Sequence, residues 1–428
     1  MSTSTVSLCE ELAYGDLAVD VVSEREDLVD AGAVNVIYGS AAGLTSAGSQ
    51  LWSQSSPGID GTAEYGDQFG WSLAAANVGN STHDDLLVGV PGEDVGRVAD
   101  AGAVQVIYGS ADGLTSAGNE LWTQNSTGIT SRAEKDDFFG CSVAAGDFGK
   151  NGYADVAISS CNEDIGKLAD AGVVHVLFGS AAGLTSSGSQ MWSQNSRRVP
   201  GVADKYDSFG STLTAANFGR DGHADLAVGV PQMTVKRYNQ SSGAVIVLYG
   251  SASGLTSAGS QLWSQDSPGI KGAVVVYDEF GASLAAADLG KSRHADLVVG
   301  VPDEEEYSGV VNVIYGSAAG LTAAGDQLWS QASPSLEGDS NIFAGFGHAV
   351  AAGNFGKSGR ADVAIGAPNY IPGEGEEEPA RPGVVHLIYG SATGLTGTGD
   401  QIWSRATPDI LGEAANTDGF GWSLLALP

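Results

Sequence analysis

Apolar residues along this chain fall in short runs separated by Gly, Asn, Asp and Ser. In one stretch the runs are FGCSVAAG (139–146), ADVAISS (154–160), GVVHVLFGS (172–180) and QMWSQ (190–194), which read as four strands, A to D. Val, Ile, Leu and Tyr dominate B and C, as buried or half-buried strands require. No segment carries a convincing 3.6-residue period, so helix should be nearly absent.

The set repeats along the whole chain. GSAAGLTSAGSQLWSQ at 39 returns in close copies at 109, 179, 250, 316 and 390, spaced by 70, 70, 71, 66 and 74 residues. An FG pair opens strand A at Phe69, Phe139, Phe209, Phe280, Phe346 and Phe420, and strand B carries Asp16, Asp85, Asp155, Asp225, Asp296 and Asp362. Strand C ends at Tyr38, Tyr108, Phe178, Tyr249, Tyr315 and Tyr389, and strand D holds Trp52, Trp122, Trp192, Trp263, Trp329 and Trp403. Every strand type thus occurs six times, which predicts an all-β, six-bladed β-propeller of four-stranded antiparallel blades, one domain over 1–428.

The chain opens on a B strand and ends on an A strand, FGWSLLAL (420–427). Pairing that C-terminal strand with the N-terminal B, C and D strands should close the ring and hide two sheet edges. The blades would then be approximately 1–68 plus 420–428, 69–138, 139–208, 209–279, 280–345 and 346–419. A fragment of a seven-bladed ring is the rival, and the balanced count argues against it.

Composition narrows the partners. Gly is abundant, at 62 residues, without a collagen period, which fits many turns. With 51 acidic and 19 basic residues the net charge is −32, which repels phosphate and argues against nucleic acid or an anionic membrane as partner. Secretion or a salty habitat would suit such a surface, and so would a plain solubility role. No apolar run approaches the roughly 18 residues of a membrane span, so membrane insertion is not expected. The N-terminus, MSTSTVSLCEEL, lacks the basic start and apolar core of a secretory signal, so export would need a leader that this sequence does not show.

FGWSLAAANVGNSTHDDLLVGVPGED at 69–94 and FGSTLTAANFGRDGHADLAVGVP at 209–231 resemble the FG-GAP repeats of integrin alpha-chain propellers and their bacterial relatives. The resemblance covers essentially the whole chain and implies a propeller. It departs in one respect, since integrin propellers have seven blades. In that family the loop between strands A and B often holds calcium through alternating oxygen ligands. Here those loops read NVGNSTHDD (77–85), DFGKNGYAD (147–155), NFGRDGHAD (217–225), DLGKSRHAD (288–296) and NFGKSGRAD (354–362). Position three, usually an oxygen donor, is Gly in all of them. The sets expected to bind calcium, if any does, are Asp147, Asn151 and Asp155, and Asn217, Asp221 and Asp225. Alternatively these are tight turns in which Asp and Asn bond to backbone amides.

The loops after strand B are acidic in several blades: GEDVGRVAD (92–100), DEEEYSG (303–309) and GEGEEEPARPG (373–383). They form either a solvated rim or a cation-dependent docking surface. Cys141 and Cys161 would face each other if strands A and B form a hairpin centred on Asn151, with Asp147 opposite Asp155. A cross-strand disulfide is then feasible, two reduced thiols being the alternative; Cys9 has no evident partner. His83, His223 and His294 share one loop position that Tyr14, Tyr153 and Arg360 occupy elsewhere, which suggests surface packing.

No nucleophile elbow, metalloprotease helix or phosphate-cradling loop is present, so the chain is not expected to be an enzyme. The leading expectation is an extracellular or cell-surface propeller, a monomeric ring that binds a protein or glycan ligand through its loops. A multivalent lectin that stacks sugars on its tryptophans is the alternative, as is an accessory scaffold of a larger enzyme. The tryptophans otherwise serve to cover the gap towards a neighbouring blade.

Overall fold

The computed structural model describes residues 5–6, 16–21, 30–40, 44–235, 240–338, 341–370, 382–408, 410 and 419–424. Six four-stranded antiparallel sheets follow one another along the chain as the blades of a β-propeller. Blade one is Thr5–Val6, Leu17–Val21, Ala33–Tyr38 and Thr45–Trp52; blade two is Ser72–Ala76, Asp85–Val90, Ala103–Ser110 and Gly113–Trp122. Blade three is Phe139–Gly146, Asp155–Ser160, Val173–Phe178 and Thr185–Trp192, and blade four is Thr212–Ala216, Asp225–Val230, Ala244–Tyr249 and Thr256–Trp263. Blade five is Ser283–Ala287, Asp296–Val301, Val310–Tyr315 and Thr322–Trp329; blade six is Ala349–Gly353, Asp362–Ala367, Val384–Ser391 and Gly394–Trp403. Among the described residues the only α-helical turn is Glu304–Tyr307.

Each strand's composition follows from its place. Strands A of successive blades lie against one another, and Ala-rich runs such as SLAAA allow that close approach. Strand B is buried at every residue in blades two to six, because neighbouring blades cover both of its faces. That is why it reads as a continuous apolar run rather than an alternating one. Strand D begins earlier than the sequence suggested. In blade one Tyr38 faces Thr45 while Val36 faces Gln50, so the small, polar residues between form a bulge inside the strand. Gly48 supplies the left-handed backbone there, with φ of 80°. The tryptophans at its end are buried (Trp52, Trp329) or partly buried and packed on apolar clusters (Trp122, Trp192, Trp263, Trp403). Their indoles face protein.

Five blade junctions repeat one design. The backbone N–H of Ser180, Ser251 and Ser317 donates to the carbonyl of Val78, Phe148 and Phe218 in the preceding blade, at 3.0, 3.1 and 3.3 Å. The tyrosine closing strand C accepts from the next blade's strand D, as Leu184 N–H to Tyr108 Oη at 3.1 Å and Leu321 N–H to Tyr249 Oη at 3.1 Å. Blade three has Phe178 instead, and there the amide oxygen of Gln190 accepts from Leu255 directly.

The first blade is completed differently from expectation. Its fourth strand is Thr5–Val6, which pairs with Val19 and Ala18, and not the C-terminal segment 420–427. A hairpin within the first 21 residues closes a short loop, at less chain entropy than recruiting a strand from the far terminus. Phe420 instead seats its N–H on the Pro382 carbonyl of blade six, as Phe69 does on Ala31 of blade one. Residues 420–424 form no strand, and 425–428 lie outside the described residues. Among the described residues, the junction between blades six and one is less closely packed than the others. Phe355 is 40% exposed and Leu44 47% exposed, although Phe148 and Phe218 are fully buried and Leu184 and Leu255 nearly so.

Phe148→Ala should therefore cost about 3–5 kcal/mol and Phe355→Ala about 1 kcal/mol or less, read as shifts in the urea unfolding midpoint. Equal losses at the two positions would show that the last junction is packed like the rest.

Candidate functional site

Antiparallel alternation places the A–B and C–D loops at one end of the propeller and the B–C and D–A loops at the other. The first end holds the sequence-predicted calcium loops. In each, the strand B aspartate is buried and reaches across the blade. Asp155 accepts from Phe148 N–H at 3.0 Å and Gly179 N–H at 3.1 Å; Asp225 accepts from Phe218 and Gly250, both at 2.9 Å. Asp85, Asp296 and Asp362 make the same pair of bonds.

The remaining loop residues form turns. Asp147 accepts from Gly149 N–H and Asn217 from Gly219 N–H, both at 2.9 Å, while Asn151 and Asp221 accept from Tyr153 and His223. Glycine at position three has a packing cause. Gly149 and Gly219 stand at φ of 124° against the carbonyls of Ser251 and Ser317 in the next blade, where a side chain would collide. Position four is a cation: Lys150 lies 3.1 Å from the Phe178 ring centroid and Arg220 3.7 Å from that of Tyr249. In both sets the carboxylates are thus engaged with backbone amides, position three offers no side-chain oxygen, and a cation stands within the loop.

In the A–B hairpin of blade three Asp155 faces Gly146, one residue from the expected Asp147. The register shifts again beyond Ile158, yet Cys141 and Cys161 come together as a disulfide with their Cα atoms 6.4 Å apart. Cys9 and Tyr14 lie outside the described residues, as does most of the 373–383 loop. Among the described residues no group of three or more His, Cys, Asp and Glu could hold a metal ion, and no helix is long and apolar enough to cross a membrane.

The opposite end carries what sequence reading missed. Tyr206, Tyr277 and Phe343 each stand three residues ahead of an FG phenylalanine, in consecutive D–A loops. All three are largely exposed, and all take left-handed backbone, with φ of 66°, 68° and 65°. Bulky residues rarely adopt that region, and strain of this kind is characteristic of functional surfaces. B–C loops hold them there: Tyr206 N–H donates to Ala169 O at 2.8 Å and Tyr277 N–H to Ser241 O at 2.7 Å. Tyr307, also exposed, stacks on Phe343 with ring centroids 5.8 Å apart. An aromatic three residues before the FG pair, in three of the six repeats, was the available signal.

Residues 209–248 match the family model of the FG-GAP repeat. The chain is an FG-GAP repeat propeller protein. Phosphatidylinositol-glycan-specific phospholipase D of Bos taurus is 32% identical over 165 residues, covering 38% of this chain and 19% of that protein. The protein of the same name from Dictyostelium discoideum is 25% identical over 267 residues, 60% of this chain and 27% of the other. Integrin alpha-PS5 of Drosophila melanogaster is 30% identical over 173 residues, 40% of this chain and 15% of that one. The FG-GAP chain thus spans about a fifth of the length of the mammalian phospholipases it matches. These matches overturn the expectation that the chain is not an enzyme, because the relatives at about 30% identity are phospholipases D and match it within the propeller. They give no support to a bacterial affiliation.

Burial pushes Asp85 and Asp296 up to about 7, outweighing the two amide bonds that pull each the other way. A carboxyl raised in the fold lends stability that is complete below its unfolded value and lost as pH rises through about 7. The melting temperature should therefore be higher at pH 5 than at pH 8, and the difference should shrink in Asp85→Asn and Asp296→Asn. Each variant should also lose about 1–3 kcal/mol, since one amide is left facing a donor. Alkylation of the denatured, unreduced chain should label Cys9 alone; three labelled cysteines would show free thiols at Cys141 and Cys161.

Proposed function

We propose that this FG-GAP propeller is a binding module that engages a protein ligand at the cell surface or in the extracellular space, through the end built from its B–C and D–A loops. The row of exposed aromatics Tyr206, Tyr277 and Phe343, with Tyr307 stacked on the last, carries this reading. Rings held clear of the core on strained backbone offer apolar contact area at little entropic cost, the character of interface anchors. The surrounding charge selects the partner: at −32 overall, with acidic B–C loops beside the rings, the surface suits a ligand that joins apolar and basic groups. Similarity to integrin alpha chains supports both the mode and the setting.

A second reading is a propeller that presents glycan-bearing substrates within a phospholipase-D-like enzyme. The flat faces of the same rings would stack on sugars, and the phospholipase relatives are named for phosphatidylinositol-glycan. The buried tryptophans do not serve it, because their indoles face protein.

Parallel arrays of extracellular proteins and of glycans separate the two. Wild-type protein should bind protein spots, and a Tyr206→Ser/Tyr277→Ser/Phe343→Ser variant should bind them at least tenfold more weakly at unchanged melting temperature. Binding confined to glycans would favour the second reading, and retention of all binding by the triple variant would sink both.

A further inference from the structure

Two short stretches of blade two, outside the aromatic row, carry the same triplet: Asn80-Ser81-Thr82 and Asn125-Ser126-Thr127. An asparagine with Ser or Thr two residues on, and no Pro between, is the acceptor signal for an N-linked glycan on a surface loop of a secreted protein. Such a triplet also arises by chance, so the structure around it decides. Asn80 and Thr82 are exposed in the A–B loop, and Asn125 and Thr127 are exposed at the start of the D–A loop. A third copy, Asn239-Gln240-Ser241, has its asparagine outside the described residues.

Each asparagine departs from what the other repeats place at its position. Where Asn80 stands, blades three to six hold Lys150, Arg220, Lys291 and Lys357, which lie over an aromatic ring and donate to the carbonyl of a strand D glycine. Asn80 is too short for either task. Its Nδ2 makes no hydrogen bond, and a Cβ on Gly118, the matching glycine, would lie 3.9 Å from it. Asn125 stands where other blades have Ser55, Asp266 and Ala332, and Thr127 replaces Pro57, Pro268 and Pro334. Asn125 Oδ1 accepts from Ala133 N–H at 3.2 Å, while Nδ2, the atom a glycan would take, donates to nothing. The Thr82 and Thr127 hydroxyls are likewise unengaged.

We propose that Asn80 and Asn125 are N-glycosylation sites, each taking an oligosaccharide from a polyprenyl diphosphate donor. In the transfer Nδ2 attacks the anomeric carbon and a C–N bond forms. The bond from that carbon to the diphosphate oxygen breaks, and Nδ2 gives up one proton. The proposal rests on the cell-surface or extracellular setting inferred above, and on no particular ligand. Both sites belong to blade two, whereas Tyr206, Tyr277 and Phe343 lie in the D–A loops that follow blades three, four and five. A glycan on blade two is therefore compatible with binding at the aromatic row. Blade three is the built-in contrast. Asn195 occupies the position of Asn125 and is also exposed, but Arg197 stands where the hydroxyl residue is needed, so Asn195 is no acceptor.

The full chain, sent through the secretory pathway of a eukaryotic cell behind a cleavable leader, tests the assignment by peptide mass mapping of the secreted product. Enzymatic removal of N-glycans in heavy-oxygen water marks each formerly occupied asparagine as a labelled aspartate. Asn80 and Asn125 should be occupied in most molecules and Asn195 in none. Thr82→Ala and Thr127→Ala should each abolish the glycan at their own asparagine with the β-sheet circular dichroism unchanged, and Arg197→Thr should add one at Asn195. Absence of glycan from either asparagine in the wild type would overturn its assignment. So would a glycan that persists there in the matching threonine variant. No ligand enters this assay, so its failure would leave the binding reading standing, and loss of that reading on the arrays would leave the glycan sites standing.

Discussion

One buried carboxylate per blade holds this propeller in register. The strand B aspartate, Asp85, Asp155, Asp225, Asp296 or Asp362, accepts from an amide of its own A–B loop and from the glycine that ends strand C. Asp16 makes the second of these bonds, to Gly39 N–H at 2.8 Å. Both loops are thereby tied together where the next blade arrives. The two oxygens of one short side chain thus meet two buried N–H donors at once. Fixed there, the A–B loop presents its own carbonyl to the following blade, as Asn77, Asp147, Asn217 and Asp288 do to the N–H of Ala154, Ala224, Ala295 and Ala361.

The two ends of the propeller consequently differ in kind. At the A–B and C–D end, polar groups are consumed by turns, junction bonds and the rings beneath Lys150, Arg220, Lys291 and Lys357. That end is structural. At the B–C and D–A end the loops vary in length and charge and project aromatics on strained backbone. A repeated scaffold thus confines adaptable chemistry to one surface, as expected when function is grafted onto a fold.

How much was legible depended on whether a residue's role is local to its strand. The FG phenylalanines, the strand B aspartates and the apolar B and C runs recur at fixed spacing, and their periodicity alone gives strand type, blade number and burial. The calcium reading of Asp147/Asn151/Asp155 and Asn217/Asp221/Asp225 followed from residue types in a loop. It could not show that Ser251 and Ser317 press on the glycines, or that each aspartate already serves two amides. The exposed tyrosines were passed over for the opposite reason, because they vary between repeats and so escape a search for what recurs.

The sequence by itself determined an all-β chain of six repeats and its core strands, because hydrophobic period and glycine placement act within a few residues. Only the tertiary structure decided which strand completes the first blade, which way the tryptophans face and which residues meet across a junction. Those outcomes depend on contacts between segments about 40 to 100 residues apart, such as Gln124 with Glu163 or Phe148 with Ser251. Near-identical repeats make several such pairings equivalent in pattern, and packing alone distinguishes them.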